Sequence, residues 1–230
     1  MAESRILGVV GGTGPESTID YYQALVAGHR ARHGDDSFPR VLVNSIDGMD
    51  LKPHLLSGDR SGTSAILDLA VARLAAGGAG LALFAAVTPH LVFDEVAAGA
   101  TIPMLSIVDA TARVVADAGF RRPGLFATRP TTEGAFFARP FEAAGIEIVR
   151  PAEGDRAWIH EVYFDELMYG VFTDATRSRL VEIAASMRDR DSIDALILGG
   201  TELPLILTES AYEGVPVVAT TRAHVAEALD

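Results

Sequence analysis

The sequence predicts an α/β fold built from two similar halves, each with a parallel sheet covered by helices. The chain has 230 residues, of which 49% are hydrophobic, enough for one large core or two small ones. Short apolar runs alternate with helix-length amphipathic stretches, a pattern typical of buried parallel strands with helical crossovers. Thr88 and Pro103 recur, at one common spacing, as Thr201 and Pro216. This internal duplication places the expected site in a cleft between the halves, at the carboxyl ends of strands.

The individual elements follow from apolar runs and amphipathic periodicity. Strands are predicted at residues 6–10, 40–46, 80–86, 103–107, 123–127, 147–149, 195–198 and 216–219. Helices are predicted at residues 17–29, 63–76, 108–118, 132–144, 155–169, 176–188 and 222–229. The predicted domains are residues 1–112 and 113–221, with a C-terminal helix, 222–230, that packs back on the first half.

Composition excludes several classes of function. The formal net charge is −12 and Lys52 is the only lysine, so nucleic acid and anionic membranes are poor candidate partners. The absence of cysteine excludes disulfides, thiolate metal sites and cysteine nucleophiles. The six histidines lack metal-ligand spacing, so no metal is expected. Residues 1–5 lead into a strand without a secretory core, which predicts a cytoplasmic protein.

A glycine-rich turn, residues 11–15 (GGTGP), follows the first strand and opens a helix. Gly12 and Thr13 are candidate ligand-binding residues, because glycine lets a ligand approach the backbone and free N–H groups accept anions. The turn lacks both the dinucleotide-binding spacing and the Gly-Lys-Ser/Thr of a P-loop. The alternative is a tight strand-to-helix turn in which Ser17 caps the helix.

Threonines follow three other predicted strands, where they could surround a small carboxylate. They are Thr88, Thr128, Thr131, Thr132 and Thr201. The alternative for each is helix capping, for which threonine is common.

Two titratable residues, His90 and Glu202, lie at strand ends and are the candidates for acid–base catalysis. The alternatives are a structural hydrogen bond for His90 and a favourable helix-dipole position for Glu202. The polar stretch 49–62 is predicted to be a loop that could act as a lid. The aromatic residues of segment 158–172 are interpreted as packing.

Several motifs together resemble the aspartate/glutamate racemase family over nearly the whole chain. They are residues 11–15, Thr88-Pro89-His90, residues 158–170 (WIHEVYFDELMYG) and residues 196–205 (LILGGTELPL). The resemblance implies cofactor-independent isomerase chemistry on an amino acid. In that family two cysteines, one from each half, face opposite sides of the substrate α-carbon.

The sequence departs from the family pattern at both cysteine positions. Where the family has Cys-Asn-Thr, this chain has Ala86-Val87-Thr88, and where it has Gly-Cys-Thr-Glu, this chain has Gly199-Gly200-Thr201-Glu202. Ala86 and Gly200 therefore occupy the two base positions, and Val87 replaces an asparagine that helps hold the α-carboxylate. Because one general base typically contributes ~10²–10⁴-fold, loss of both should abolish two-base racemisation.

Three functional hypotheses remain open. The protein is a repurposed isomerase or lyase that uses His90 and Glu202, a non-catalytic carboxylate binder or regulator, or an ordinary racemase from which both cysteines were removed. Val87 and Gly200 lead us to expect a larger, less polar pocket and a ligand bulkier than aspartate. Arg129, Arg139 and Arg222 are possible partners for a distal carboxylate, and the resemblance suggests a homodimer.

Overall fold

A computed structural model describes residues 6–34 and 36–230. Residues 1–5, for which no secretory core is expected, lie outside the described residues. The chain divides into two compact units. Unit 1 comprises the described residues up to Ile107 together with His224–Asp230, and unit 2 is the continuous segment Val108–Ala223.

Unit 1 contains a parallel sheet in the order β2-β1-β3-β4. The strands are β1 (Leu7–Gly11), β2 (Val41–Ser45), β3 (Leu81–Phe84) and β4 (Met104–Leu105). The helices are α1 (Pro15–His33), α2 (Gly48–Ser57), α3 (Arg60–Ala76) and α4 (Phe93–Gly99), with a 3₁₀ turn at Thr88–Val92. Every residue of β1 is buried, as expected for an inner strand of a parallel sheet covered on both faces.

Unit 2 contains a sheet in the order β5-β6-β8-β7. Its strands are β5 (Gly124–Phe126), β6 (Leu196–Leu198), β7 (Ala211–Tyr212) and β8 (Val215–Ala219). Its helices are α6 (Arg129–Glu133), α7 (Ala135–Ala143), α8 (Glu153–Asp165), α9 (Asp174–Asp191) and α10 (Leu203–Ile206). Two helices run across the unit boundary along the chain, α5 (Ile107–Asp117) and α11 (Thr220–Ala228).

The two sheets repeat one strand order. In unit 1 the second strand in sequence lies beside the first, and the third and fourth follow on the other side. In unit 2 Val149 forms a parallel bridge to Gly124 of β5, and β6 and β8 follow in the same way. The prediction of two parallel-sheet α/β halves is confirmed.

Three local predictions are wrong. Residues 49–62 are not a loop or a lid, because α2 and the start of α3 occupy them, and Asp47 caps α2 by accepting a hydrogen bond from the Met49 N–H. The expected strand at 147–149 contributes a single bridge, and β7, which was not predicted, is an antiparallel edge. The expected helix 132–144 is interrupted at Gly134, whose backbone is extended.

Helix length and composition bear on membrane insertion. Across residues 6–34 and 36–230, none of the helices is long and apolar enough to cross a bilayer.

Candidate functional site

The glycine turn after β1 is fixed by close backbone packing. Gly12 has a φ of +88°, and a Cβ atom there would lie 2.1 Å from the Ile46 carbonyl oxygen. The Gly12 N–H donates to Thr18 Oγ1 over 2.9 Å, and the Ile46 N–H donates to the Gly11 carbonyl. The Gly12 N–H is therefore used for a hydrogen bond within the turn, and the expectation that it is free to bind an anion is not supported. Its neighbour Thr13 is half-buried.

Ser17 does not cap α1, contrary to the alternative considered for this turn. The cap residue is Gly14, and its position makes no side-chain bond to the helix. Ser17 is instead fully buried, and its hydroxyl donates to the Ala85 carbonyl over 2.9 Å. This hydrogen bond ties the start of α1 to the residue that follows the end of β3.

The end of β3 leads into the first candidate base position. Ala86 and Val87 are buried, and a 3₁₀ turn begins at Thr88, which is half-buried. Neither Ala86 nor Val87 carries a group that can exchange a proton. Polar side chains at this strand end are supplied by Thr88, by His90 and by Ser17, whose hydroxyl donates to the Ala85 carbonyl.

His90 is held by the backbone through both ring nitrogens. Its Nδ1 lies 3.0 Å from the Ala86 carbonyl oxygen, and its Nε2 accepts from the Ile107 N–H over 3.1 Å. This pairing requires the neutral ring with its proton on Nδ1. Burial, and then the proximity of His224, lowers the pKa of His90 to about 3. The geometry supports the structural alternative for His90 and gives no support to acid–base catalysis.

The threonines after β5 bond mainly to their own turn. Thr132 Oγ1 donates to the Thr128 carbonyl over 2.8 Å, and Thr128 Oγ1 lies 3.4 Å from Thr131 Oγ1. All three are buried. Thr128 occupies the cap position of α6, but its side chain makes no capping hydrogen bond. The hydroxyls therefore cluster at the carboxyl end of β5, where the sequence placed them.

A buried carboxylate lies just beyond the end of β6. Glu202 is 2% exposed, and its Oε2 accepts hydrogen bonds from the Tyr163 hydroxyl and from Thr201 Oγ1, the latter over 3.0 Å. Glu202 occupies the N-cap position of the four-residue α10 without a capping hydrogen bond, and this position at a helix N-terminus agrees with the helix-dipole alternative. Burial, and then the Glu202 charge, raises the pKa of Tyr163 well above 10. Tyr163 therefore stays protonated and donates at neutral pH.

Tyr163 also corrects the expected shape of this strand end. A Cβ atom built on Gly200 would lie 2.4 Å from Tyr163 Cε2, so the tyrosine ring already occupies that space. The expectation that Gly200 enlarges the pocket is wrong. Sequence reasoning assigned residues 158–172 to packing and missed the phenol. The available signal was a tyrosine within the family-like segment 158–170.

A cavity of about 310 Å³ in unit 2 adjoins the threonine cluster. It is lined by Arg129, Thr132, Glu133, Glu153, Arg156 and Ala157. Among the described residues, the buried Arg156 Nε has no hydrogen-bond partner. Of the three arginines considered from the sequence, Arg129 lines this cavity. Two guanidinium groups here could bind a carboxylate in competition with the two glutamates.

A larger cavity, of about 640 Å³, lies in unit 1 and is lined by Leu7 and Leu81 among others. These residues begin β1 and β3, so this cavity is at the strand ends opposite the candidate residues. In the described part of the chain, no three His, Asp or Glu side chains are grouped as a metal site would require.

Comparison with known families decides the assignment. The family model for Asp/Glu/Hydantoin racemase matches residues 10–228. The chain belongs to this racemase family. Similar crystal structures include a Yersinia pestis protein assigned as an Asp/Glu racemase, with 30% identity, a TM-score of 0.86 and 98% coverage of both chains.

Further crystal structures extend the comparison with this racemase-family chain. An aspartate racemase homologue from Pyrococcus horikoshii OT3 has 31% identity and a TM-score of 0.81, with 99% of this chain and 98% of that chain covered. A glutamate racemase from Francisella tularensis subsp. tularensis SCHU S4, in complex with D-glutamate, has 15% identity and a TM-score of 0.61, covering 96% and 78%. The last comparison shows the shared fold alone.

Proposed function

We propose that this racemase-family protein binds a small carboxylic or amino acid and does not racemise it with two thiols. The observation that carries the proposal is the complete absence of cysteine from the chain. By family resemblance the base positions are Ala86 and Gly200, which have no proton to exchange. Replacement of both bases should remove cofactor-free racemisation, because the α-proton of an amino acid is very weakly acidic.

The remaining polar groups do not restore a two-base mechanism. Threonine hydroxyls have pKa values far above working pH unless a neighbouring base activates them. His90 uses both ring nitrogens on the backbone, and its low pKa makes it a poor proton acceptor. We therefore keep His90 as a residue that positions the end of β3.

Glu202 is the proposed acid–base residue for a repurposed isomerase or lyase reaction. It follows the end of β6, and its carboxylate is held by Tyr163 and Thr201. The proposed ligand-binding groups of the same unit are the hydroxyls of Thr128, Thr131, Thr132 and Thr201. The proposal requires no metal or organic cofactor.

The proposed ligand carries two carboxylates. The Francisella tularensis glutamate racemase binds D-glutamate. In this chain, Arg129 and the half-buried Arg156, whose Nε is buried, line one cavity beside Thr132. Guanidinium groups bind carboxylates through two parallel hydrogen bonds, which supports a second carboxylate at this place. Because Tyr163 fills the space at Gly200, the absent side chain there makes no room for a ligand bulkier than aspartate.

A non-catalytic binder or regulator is the second candidate, and one observation favours it. Both donors, Tyr163 and Thr201, bond to the same oxygen of Glu202, and the carboxylate is buried. Because both donors already occupy this oxygen, it is not placed to take a proton from a ligand. This arrangement would serve binding without turnover.

The deciding experiment is proton NMR of the purified protein in D₂O with a panel of acids. The panel contains both enantiomers of aspartate and glutamate together with other small mono- and dicarboxylates. We expect no loss of the α-proton signal from aspartate or glutamate, and new resonances from another acid if the protein is an enzyme. Exchange of the α-proton of aspartate or glutamate would contradict the proposal.

Calorimetry with the same panel separates the two candidates. Saturable binding without turnover would favour the binder, and no binding to any acid would reject both. Glu202→Gln should reduce turnover ~10²–10⁴-fold if Glu202 transfers a proton. The matched control is Glu161→Gln, an exposed glutamate on α8 of the same unit.

Assembly and cellular location are separate proposals carried over from the sequence. We propose a homodimer, which light scattering of the purified chain would test. We also propose a cytoplasmic location, which fractionation of producing cells would test.

A further inference from the structure

The end of β6 lacks a side chain at Gly200, and a side chain from another element lies in its place. Built onto Gly200, a Cβ atom would lie 2.4 Å from Tyr163 Cε2 and 3.0 Å from both Cζ and the hydroxyl oxygen. Real Cβ atoms essentially never approach another heavy atom to within 3.0 Å, so even alanine at position 200 must displace the ring. The ring belongs to a residue of α8, a helix that is distant from Gly200 in the sequence.

Tyr163 contacts Gly200 and Glu202 at the same time. The hydroxyl donates to Glu202 Oε2, and both side chains are almost fully buried, at 6% and 2% exposure. A buried carboxylate that loses a donor incurs a desolvation penalty. Hence the position of the Tyr163 ring depends both on the absence of a side chain at Gly200 and on the hydrogen bond to Glu202.

We infer that the Tyr163 ring occupies the space that a side chain at position 200 would need, and that Tyr163 and Gly200 act as one coupled pair. Tyr163 is a positioning residue in this pair, because its hydroxyl fixes the Glu202 carboxylate. The pair sets both the free volume and the acid–base character of this strand end. The part concerning ligand binding rests on the proposed function, whereas the steric coupling does not.

The consequence for chemistry is that a thiol cannot simply be restored at this strand end. A cysteine at position 200 would displace Tyr163, and Glu202 would lose its phenol donor. A side chain at position 200 therefore fits only if a smaller residue stands at position 163. The pair therefore determines specificity by steric exclusion as well as by hydrogen bonding.

A double-mutant cycle on thermal stability tests the coupling in the full chain. We expect Gly200→Ala to lower the Tm by several degrees, and the same change in a Tyr163→Leu background to lower it much less. The matched control is Gly200→Ala with Tyr163→Phe, which keeps the ring and should recover little. Equal losses in the wild-type and Tyr163→Leu backgrounds would overturn the inference. If Gly200→Ala alone fails to fold, folding of the double variant with Tyr163→Leu supports the inference, and its failure as well overturns it.

A pH profile tests the positioning role separately. Tyr163→Phe removes the phenol that donates to the Glu202 carboxylate, so the charged form loses a donor and the pH midpoint of ligand binding or turnover should move upward. An unchanged midpoint with normal affinity would overturn the positioning role. Non-additive stability together with silence across the ligand panel would leave the coupling standing while the proposed function fails.

Discussion

By family resemblance, the ends of β3 and β6 are the two places where this chain lacks a cysteine, yet the surroundings of the two strand ends differ. After β3, Ala86 keeps a methyl group and the neighbouring His90 is bound to the backbone at both nitrogens. After β6, Gly200 has no side chain, and Tyr163 fills the space while donating to Glu202. At the end of β3 the ring nitrogens of His90 are occupied by the backbone, whereas at the end of β6 a buried carboxylate lies beside a phenol.

The largest expected effect concerns the glycine turn that follows β1 in unit 1. Gly12→Ala places a Cβ against the Ile46 carbonyl at a φ of +88°, so we expect destabilisation above about 5 kcal/mol and little folded protein. The control is Gly34→Ala, where φ is +66° but no atom lies within 4 Å of the added Cβ. That variant should lose only about 1 kcal/mol. Equal yields and Tm values for the two would contradict the role given to this turn.

Acid sensitivity should arise in unit 1 from His90. Its pKa falls from 6.5 to about 3 on folding, so below pH 6.5 the unfolded chain binds a proton that the folded chain does not. Stability is therefore lost as the pH falls, by about 3 kcal/mol at pH 4. Denaturant unfolding of wild type and His90→Asn from pH 7.5 to pH 4 measures this slope.

The His90→Asn variant should have a lower stability at pH 7.5 but a flatter dependence on pH. His33→Asn, which replaces an exposed histidine of the same unit, serves as the control and should keep the wild-type slope. A wild-type slope in His90→Asn would show that His90 is not the acid-sensitive group.

Restoring cysteine should have unequal effects at the two strand ends. Gly200→Cys meets the Tyr163 ring and should cost about 1–3 kcal/mol through overpacking. Ala86→Cys adds one sulfur atom where a methyl group already fits, so a smaller loss is expected. Chemical denaturation under reducing conditions compares them. The double variant should remain inactive in α-proton exchange with aspartate, and recovered exchange would mean that the rest of the pocket has not diverged.

The smallest effect is expected at Ser17. Ser17→Ala removes one buried hydrogen bond to the Ala85 carbonyl and should cost about 1–2 kcal/mol. Thr18→Ser, which keeps the hydroxyl that accepts from Gly12, is the control and should change stability less. A Tm for Ser17→Ala equal to that of wild type would show that the hydrogen bond from Ser17 to the Ala85 carbonyl contributes nothing to stability.

The fold could be predicted because its signals are local and repeated. Continuous apolar strands such as β1 and β6 and the spacing of Thr88 and Thr201 identify two similar halves. The missed helix α2 contains Pro53 and polar residues, so periodicity was weak, although Asp47 and Gly58 mark its ends. The domain limits 1–112 and 113–221 stay a prediction.

The candidate site was only partly predictable. The strand-end threonines and Glu202 could be found because their positions follow apolar runs. The roles of His90 and Tyr163 depend on partners far away in sequence, namely the Ile107 amide and Gly200, which no periodicity reveals. A glycine in sequence suggests free volume, but only packing determines whether another side chain fills it.

The division of the chain into units has a consequence for biosynthesis. Unit 1 needs the segment His224–Asp230, whose His224 is buried and bonds to Tyr21 through Nδ1 and to the Leu105 carbonyl through Nε2. A ribosome makes this segment only after all of unit 2 has been made. The half that is translated first therefore acquires this buried histidine only after the other half has been synthesised, whereas unit 2 is continuous in the sequence.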